Sequence, residues 1–329
     1  MKIIVTGSAG FIGYNLCKQL CKFKNFKVLG IDSLNNYYNV QIKIDRNSLL
    51  LKNKNFSFVQ HDLSKNVNNL SRILHAFEPE VIVHLAAQPG VRKSIENPKA
   101  YLKNNIIGTF NILDNFKDLN SLKLFLHAST SSIYSQNDCQ LWSENLDTNN
   151  PKHFYAASKK STEVMLSTFA ELHNIRSRVI RFFTVYGPYG RPDMALYSFA
   201  KNIMNDQPID VFNFGNHKRD FTYIDDAVDG VIKIISSDTK DVPKNKKVFD
   251  VINIGRGKQE KLSEFINLLE KNLKKRAKIN YLPFQQGDAL DTFANISKAK
   301  KIYGFNPKTN INEGIKKFVS WFSSYHKLP

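Results

Sequence analysis

Short apolar runs and longer amphipathic stretches alternate along the first half of the chain. The runs near Lys2–Thr6, Lys27–Ile31, Phe56–Gln60, Val81–His84, Lys123–His127 and Arg178–Phe182 have the length of strands, and helical patterns lie between them. Strand, helix, strand repeated in this way needs crossovers between parallel neighbours. The pattern therefore predicts an α/β fold, a doubly wound parallel sheet covered by helices on both faces. The alternation stops after about Phe183. There Gly187-Pro188-Tyr189-Gly190-Arg191-Pro192 reads as an irregular loop, and Asp210–Asn213 and Lys278–Leu282 read as short strands of a smaller second unit outside the main sheet.

Composition narrows the class. Of 329 residues 42% are hydrophobic and 12% aromatic, too many for a chain that stays solvated. No window approaches the roughly 18 consecutive apolar residues of a membrane span, so no membrane partner is expected. Met1-Lys2-Ile3-Ile4-Val5-Thr6-Gly7 runs straight into a strand and turn, which leaves no h-region for a signal peptide and suggests a cytoplasmic protein. The 47 Lys and Arg against 29 Asp and Glu give a formal charge of +18, but no recognition motif or aromatic-basic platform accompanies it, so no nucleic-acid partner is expected. The basic cluster Lys271, Lys274, Lys275, Arg276 and Lys278 reads as the solvated end of a helix. Cys17, Cys21 and Cys139 are odd in number and lack CxxC spacing, and the eight histidines form no ligand cluster; neither a disulfide framework nor a metal is expected.

Gly7-Ser8-Ala9-Gly10-Phe11-Ile12-Gly13 joins the first strand to a helical pattern. Glycines at this spacing allow a tight turn and a close approach of backbone to a pyrophosphate, and a helix N-terminus offers free N–H groups to the anion. Nineteen residues beyond Gly13, at the end of the second strand, Asp32 can accept both hydroxyls of an adenosine ribose. It would repel a 2′-phosphate, and Ser33 offers no compensating cation, so NAD is expected rather than NADP. His61-Asp62-Leu63 and Leu85-Ala86-Ala87-Gln88 end the third and fourth strands, the edge where such sheets bind ligands.

Tyr155-Ala156-Ala157-Ser158-Lys159 opens a helix after Pro151 and puts phenol and ammonium on one face. A phenol titrates near pKa ~10, and a cation held close favours the phenolate, so Lys159 reads as the tuner of a Tyr155 base. Thr130-Ser131-Ser132 follows the fifth strand, where a hydroxyl could meet both Tyr155 and a substrate oxygen.

With these pieces the chain resembles the extended short-chain dehydrogenase/reductase group of nucleotide-sugar enzymes, and within it the UDP-glucuronate 4-epimerases. The resemblance runs from Met1 to about Tyr325 and includes Ala87-Gln88-Pro89-Gly90-Val91-Arg92, Arg181-Phe182-Phe183-Thr184-Val185-Tyr186-Gly187-Pro188, Gly190-Arg191-Pro192-Asp193-Met194-Ala195 and Arg219-Asp220-Phe221-Thr222-Tyr223-Ile224-Asp225-Asp226. It implies a Rossmann domain over 1–183 that binds NAD, with a returning segment near 216–255, and a UDP-sugar domain over 184–215 and 256–329. It also implies that Arg92, Asn105 and Phe183 line the cofactor site beside Gly7, Gly10, Phe11, Ile12, Gly13, Asp32, Asp62, Leu63, Leu85, Ala86 and Ala87, and that Arg219 and Asp288 hold the UDP. Ser135 departs from the family's usual Tyr-Gly after the hydroxyl loop.

The implied chemistry is hydride removal from sugar C4, with Tyr155 taking the O4 proton and Thr130 sharing that hydrogen bond, then rotation of the 4-keto sugar and return of both to its other face. A glucuronate makes that intermediate a β-keto acid. Arg191 can hold its carboxylate out of alignment for decarboxylation, with Ser131, Ser132 and Thr184 completing the grip. Dehydratases of the family carry Asp-Glu where this chain has Ser131-Ser132. The alternative is a UDP-glucose or UDP-N-acetylglucosamine 4-epimerase, and a more distant one is a non-catalytic NAD-binding or nucleic-acid-binding protein. The family also implies a homodimer formed through the Tyr155 helix.

Overall fold

The computed structural model describes residues 1–134, 141–240, 247–284, 287 and 289–328. Strands β1 (Lys2–Thr6), β2 (Lys27–Asp32), β3 (Phe56–Gln60), β4 (Val81–His84), β5 (Leu124–Thr130) and β6 (Arg176–Phe182) occupy the six apolar runs. They are followed by β7 (Thr184–Tyr186), β8 (Ile209–Val211), β9 (Lys218–Tyr223), β10 (Phe249–Ile254), β11 (Gln259–Lys261) and β12 (Ile279–Tyr281). Seven of these form the main sheet in the order β10-β6-β5-β4-β1-β2-β3, every neighbouring pair parallel. The order reverses between β1 and β4, which opens a crevice beyond their C-terminal ends.

Alternation along the strands divides the core. Ile3, Val5, Leu124 and Leu126 face one layer, which includes α1 (Phe11–Leu20), α2 (Gln41–Leu50) and the later helix Ile224–Asp238; Ile4, Ile82 and Phe125 face the other. That second layer is built by α3 (Val67–Phe77) and by a helical run of α4 (Val91–Glu96), α5 (Pro98–Tyr101), a π-helical turn (Leu102–Ile107) and α6 (Gly108–Leu113), with α7 (Phe154–His173) packed alongside. Both faces are thus covered, and the strands read as continuous apolar runs for that reason.

β5 continues past His127 to Thr130 because β6 stays in register beside it, Ala128 opposite Ile180 and Thr130 opposite Phe182. The two short segments expected outside the main sheet pair with each other: β8 and β12 form a two-stranded parallel sheet, and β11-β9-β7 form a third. Around these pack α8 (Ala195–Met204), α9 (Ile224–Asp238), α10 (Leu262–Leu273), α11 (Ser297–Tyr303) and α12 (Ile311–His326). The basic cluster falls at the C-terminal end of α10, where Arg276 pairs with Glu270 and Lys275 with Asp206. Cys17 and Cys21 are free thiols; Cys139 and Ser135 lie outside the described residues.

One buried ion pair fastens α9 to the sheet. Arg178 on β6 meets Asp238 at 2.8 Å, with side chains 2% and 0% exposed, and the Tyr303 hydroxyl of α11 donates to the same carboxylate at 3.0 Å. Removing one partner strands the other charge in a dry site. Asp238→Ala is therefore expected to lower the unfolding free energy by about 3–5 kcal/mol, read from urea melts; a loss under about 1 kcal/mol, the value of an exposed pair, would mean that water reaches Arg178.

Candidate active site

The crevice is a cavity of about 360 Å³ that runs from the turn after β1 past the ends of β4 and β5 to the loop 184–194. At one end the turn is packed backbone on backbone. Gly7 has φ +70°, and a Cβ there would lie 2.8 Å from the amide nitrogen of Ala86; a Cβ on Gly13 would lie 2.1 Å from the carbonyl oxygen of Gly7. No larger residue fits. The first amides of α1 precede any intrahelical partner and point into the cavity's end, lined by Gly10, Phe11, Ile12 and Gly13.

Asp32 closes β2. Its Oδ2 accepts the Ala9 N–H at 3.1 Å and its Oδ1 the Leu34 N–H at 2.8 Å, which fixes the carboxylate and leaves lone pairs for two hydroxyls. Asp62 and Leu63, then Leu85, Ala86 and Ala87, supply the neighbouring wall. The turn, the free helix amides and this carboxylate fit an adenine dinucleotide.

At the other end stand the hydroxyls. Helix α7 begins one turn after Pro151, with the His153 ring accepting the Ala156 N–H at 3.1 Å as its cap. This places Tyr155 half-buried at the cavity and Lys159, 2% exposed, one turn below it. Thr130 receives the Ser132 N–H on its oxygen at 3.1 Å, so its own proton is free to bond the Tyr155 oxygen. Burial raises the Tyr155 pKa, while the Thr130 hydrogen bond and the Arg191 charge oppose that rise. Spacing predicts Lys159 as the tuning cation, and Arg191 stands on the same wall as a second positive charge. Lys159 itself is lowered by burial to about 7, with Glu163 one turn further along opposing the fall. Glu163 is held by Arg181 at 2.7 Å and by the Ser129 hydroxyl at 2.5 Å. Ser131, Ser132, Phe183, Thr184 and Arg191 complete this wall.

A family model for GDP-mannose 4,6 dehydratase matches residues 4–318. The chain is 41% identical over 319 residues to the UDP-glucuronate 4-epimerase of Thermodesulfobacterium geofontis, covering 97% of this chain and 95% of that protein. It is 43% identical over 337 residues to protein CapI of Staphylococcus aureus, covering 99% and 100%. The crystal structure of UDP-glucuronic acid 4-epimerase from Bacillus cereus in complex with UDP-glucuronic acid and NAD matches it with a TM-score of 0.90 at 34% identity, over 99% of this chain and 100% of that one. The chain belongs to the extended short-chain dehydrogenase/reductase family.

Some residues that the family pattern suggested stand outside the cavity wall. Asn105, on the π-helical turn, is fully buried behind it: it accepts the Gln88 N–H at 2.6 Å and donates to the Gln88 carbonyl and to Ser158, so it shapes the loop after β4 from behind, while its neighbour Asn104 reaches the cavity. The Arg92 guanidinium lies over the Phe212 ring, 4.1 Å from its centroid, on the side of the smaller sheets. Arg219 donates to the carbonyls of Ala289 and Leu290, and Asp288 lies outside the described residues.

Other cavity residues escaped the sequence reading. Lys43 of α2, 5% exposed, lines the adenosine end near Asp32 and donates to Asn35 twice at 2.7 Å. A cation does stand there, supplied ten residues beyond Ser33 and committed to Asn35; burial lowers its pKa and Asp32 opposes that. Its helix neighbour Arg46, fully buried, donates to the carbonyls of Ala9, Tyr189 and Gly190 and so ties the glycine turn to the loop that carries Arg191. The available signal was the spacing: Ile42, Lys43, Arg46 and Leu50 share the buried face of α2.

Burial of Lys159 predicts a pH-dependent stability of defined sign. Its native pKa is about 7, far below the unfolded value, so above pH 7 the unfolded chain binds a proton that the folded one has released, and this residue's contribution to stability rises with pH; below pH 7 both states hold the proton and the contribution is flat. Subtracting the Lys159→Met curve isolates it. The wild type should gain on the variant from pH 7 to 9 with a slope approaching about 1.4 kcal/mol per pH unit. A difference independent of pH would place the charged ammonium in the core.

Proposed function

We propose that the protein is a UDP-glucuronate 4-epimerase that interconverts UDP-glucuronate and UDP-galacturonate through a 4-keto intermediate, with NAD as its bound cofactor. The observation that carries this reading is that Tyr155, Thr130 and Arg191 converge on one wall of a cavity whose far end is built for a dinucleotide. Bound there, NAD takes the hydride from sugar C4 and returns it. Tyr155 accepts the O4 proton and later gives it back, and the Thr130 hydroxyl, oriented by Ser132, holds O4 against it. Lys159 lies one turn below on the same helix face, with a pKa that lets it exchange a proton near neutrality. Arg191, with Ser131, Ser132 and Thr184, grips the sugar carboxylate and holds its C–C bond out of line with the C4 carbonyl.

Residues 1–183 with 216–255 hold NAD and 184–215 with 256–329 hold the UDP. A UDP-glucose or UDP-N-acetylglucosamine 4-epimerase would have no use for Arg191, and the neutral Ser131-Ser132 cannot supply a dehydratase's acid and base. A homodimer is supported by apolar side chains left exposed on the helices of one layer, among them Ile95, Leu102, Ile107 and Phe110 before α7 and Val164 and Leu172 on it. Covering such a patch is what an obligate interface does. A monomer in sedimentation equilibrium at micromolar concentration would refute that part.

Purified protein should convert UDP-glucuronate to UDP-galacturonate with no nucleotide added and release NAD on heating; NADP, or a requirement for stoichiometric reductant, would refute the reading. Tyr155→Phe should lower kcat by roughly 10²–10⁴, the range for loss of a general acid–base group, with UDP-sugar binding retained. Near-normal turnover would remove Tyr155 from the chemistry. Arg191→Ala should reduce kcat/KM for UDP-glucuronate by about ten- to over a hundredfold, as expected for a lost charge-assisted hydrogen bond, and UDP-glucose far less. An equal loss on both sugars would favour the neutral-hexose epimerase.

A further inference from the structure

The side chain assigned to the substrate carboxylate already holds one. Arg191 donates through Nε to Asp193 Oδ1 at 3.0 Å and through Nη2 to Oδ2 at 2.5 Å, a side-on fork two residues along the same loop. Asp193 has Tyr37 as an electrostatic neighbour, and Tyr37 in turn has Tyr101, whose hydroxyl reaches the carbonyls of Pro89 and Gly90 at 2.8 and 2.7 Å. The guanidinium lies over the Tyr37 ring, 6.0 Å from its centroid. The loop backbone is held as well, by Arg46 on the Tyr189 and Gly190 carbonyls.

Two arrangements could follow. Asp193 could be a stand-in that the substrate carboxylate displaces, or a support behind Arg191 that remains in place. The position decides it. Tyr37, Arg191 and Met194 line the cavity, and the fork to Asp193 uses one edge of the guanidinium, so a second carboxylate can bind without displacing it. Of five guanidinium N–H groups Asp193 takes two, on Nε and Nη2; the remaining pair on the Nη1–Nη2 edge is parallel and matches a second carboxylate. No described residue bonds Nη1.

We propose that Asp193, through its two-bond fork to Arg191, is a positioning residue that aims Arg191 at the substrate carboxylate and thereby sets both the preference for an acidic sugar and the suppression of decarboxylation. This rests on the carboxylate clamp proposed above. Without Asp193 a long side chain regains its rotamers, the grip loosens, and the C5–C6 bond of the 4-keto acid can align with the C4 carbonyl. That bond then breaks, its electron pair forming the enolate at C4–C5; CO₂ leaves and a proton returns to C5, giving a UDP-4-keto-pentose.

The test compares wild type, Asp193→Ala, Asp193→Asn, Tyr37→Phe and Arg191→Ala as NAD-loaded protein. Binding of UDP-glucuronate and UDP-glucose is measured by calorimetry, and pentose product by mass spectrometry. Asp193→Ala is expected to bind UDP-glucuronate roughly tenfold more weakly, the lower end of a charge-assisted contact, to bind UDP-glucose as wild type does, and to leak pentose. Asp193→Asn, which keeps an acceptor for Nε, and Tyr37→Phe should show smaller effects of the same kind. Unchanged or tighter UDP-glucuronate binding without pentose, while Arg191→Ala still discriminates between the sugars, would overturn the positioning role and leave the clamp standing. Equal losses on both sugars would make Asp193 structural and overturn it too. If Arg191→Ala itself fails to discriminate, the clamp falls and this inference with it.

Discussion

The contact on which the rest depends is backbone against backbone. The turn after β1 lies so close to the end of β4 and to its own following helix that Gly7 and Gly13 have no room for a Cβ. That approach brings the N-terminus of α1, the carboxylate of Asp32 and the small residues Ala86 and Ala87 around one crevice, at the point where the sheet order reverses. Widen the turn by a methyl group and the dinucleotide end of the cavity loses its floor. The hydroxyl end is then set at a fixed distance, because β5 and β6 run in register to Thr130 and Phe182.

The site's electrostatics come from burial opposed by few partners. Tyr155 is pushed up by desolvation and relieved by one hydroxyl and one guanidinium. Lys159 is pushed down to about 7 with only Glu163 working against the fall, and Glu163 is itself neutralised by Arg181. The outcome is a phenol that burial holds to its proton and, one turn away, an amine that burial brings close to losing its own. Arg191 is different: burial disfavours its charge, but Asp193 and the hydroxyls of Tyr37 and Tyr155 hold its pKa above the ordinary arginine value. It is a permanent cation on the wall of the cavity.

Two buried arginines connect this chemistry to the frame. Arg46 spans from the glycine turn to the loop before Arg191 by donating to three carbonyls and to the Tyr38 hydroxyl, and its Nε remains without a partner among the described residues. A buried cation satisfied this way is costly unless every carbonyl stays in place, so the two ends of the cavity are held to one geometry. Arg178 plays the corresponding part at the far edge, pairing with Asp238 beneath α9.

What the sequence by itself determined is whatever depends on neighbours along the chain. Strand positions, the two-faced core, the glycine turn with Asp32, and the Tyr155–Lys159 face follow from periods of two and three to four residues and from spacings within one helix or turn. Boundaries differ where pairing across the sheet extends an element, as from His127 to Thr130 in β5, and where pairing is short, as in the three-residue β8 and β12. Tertiary structure decided everything whose partner is distant. Arg46 meets Tyr189 across 143 positions, Lys43 reaches the Asp32 end of the cavity because α2 turns one buried face towards it, and Asn105 and Arg92 find partners in Gln88 and Phe212. The Asp193–Arg191 fork spans two residues, yet its meaning was equally hidden, since adjacent letters do not say which edge of a guanidinium faces a cavity. Periodicity reports the side of an element that is buried; the orientation of a polar group is set by hydrogen bonds made after the chain has closed on itself.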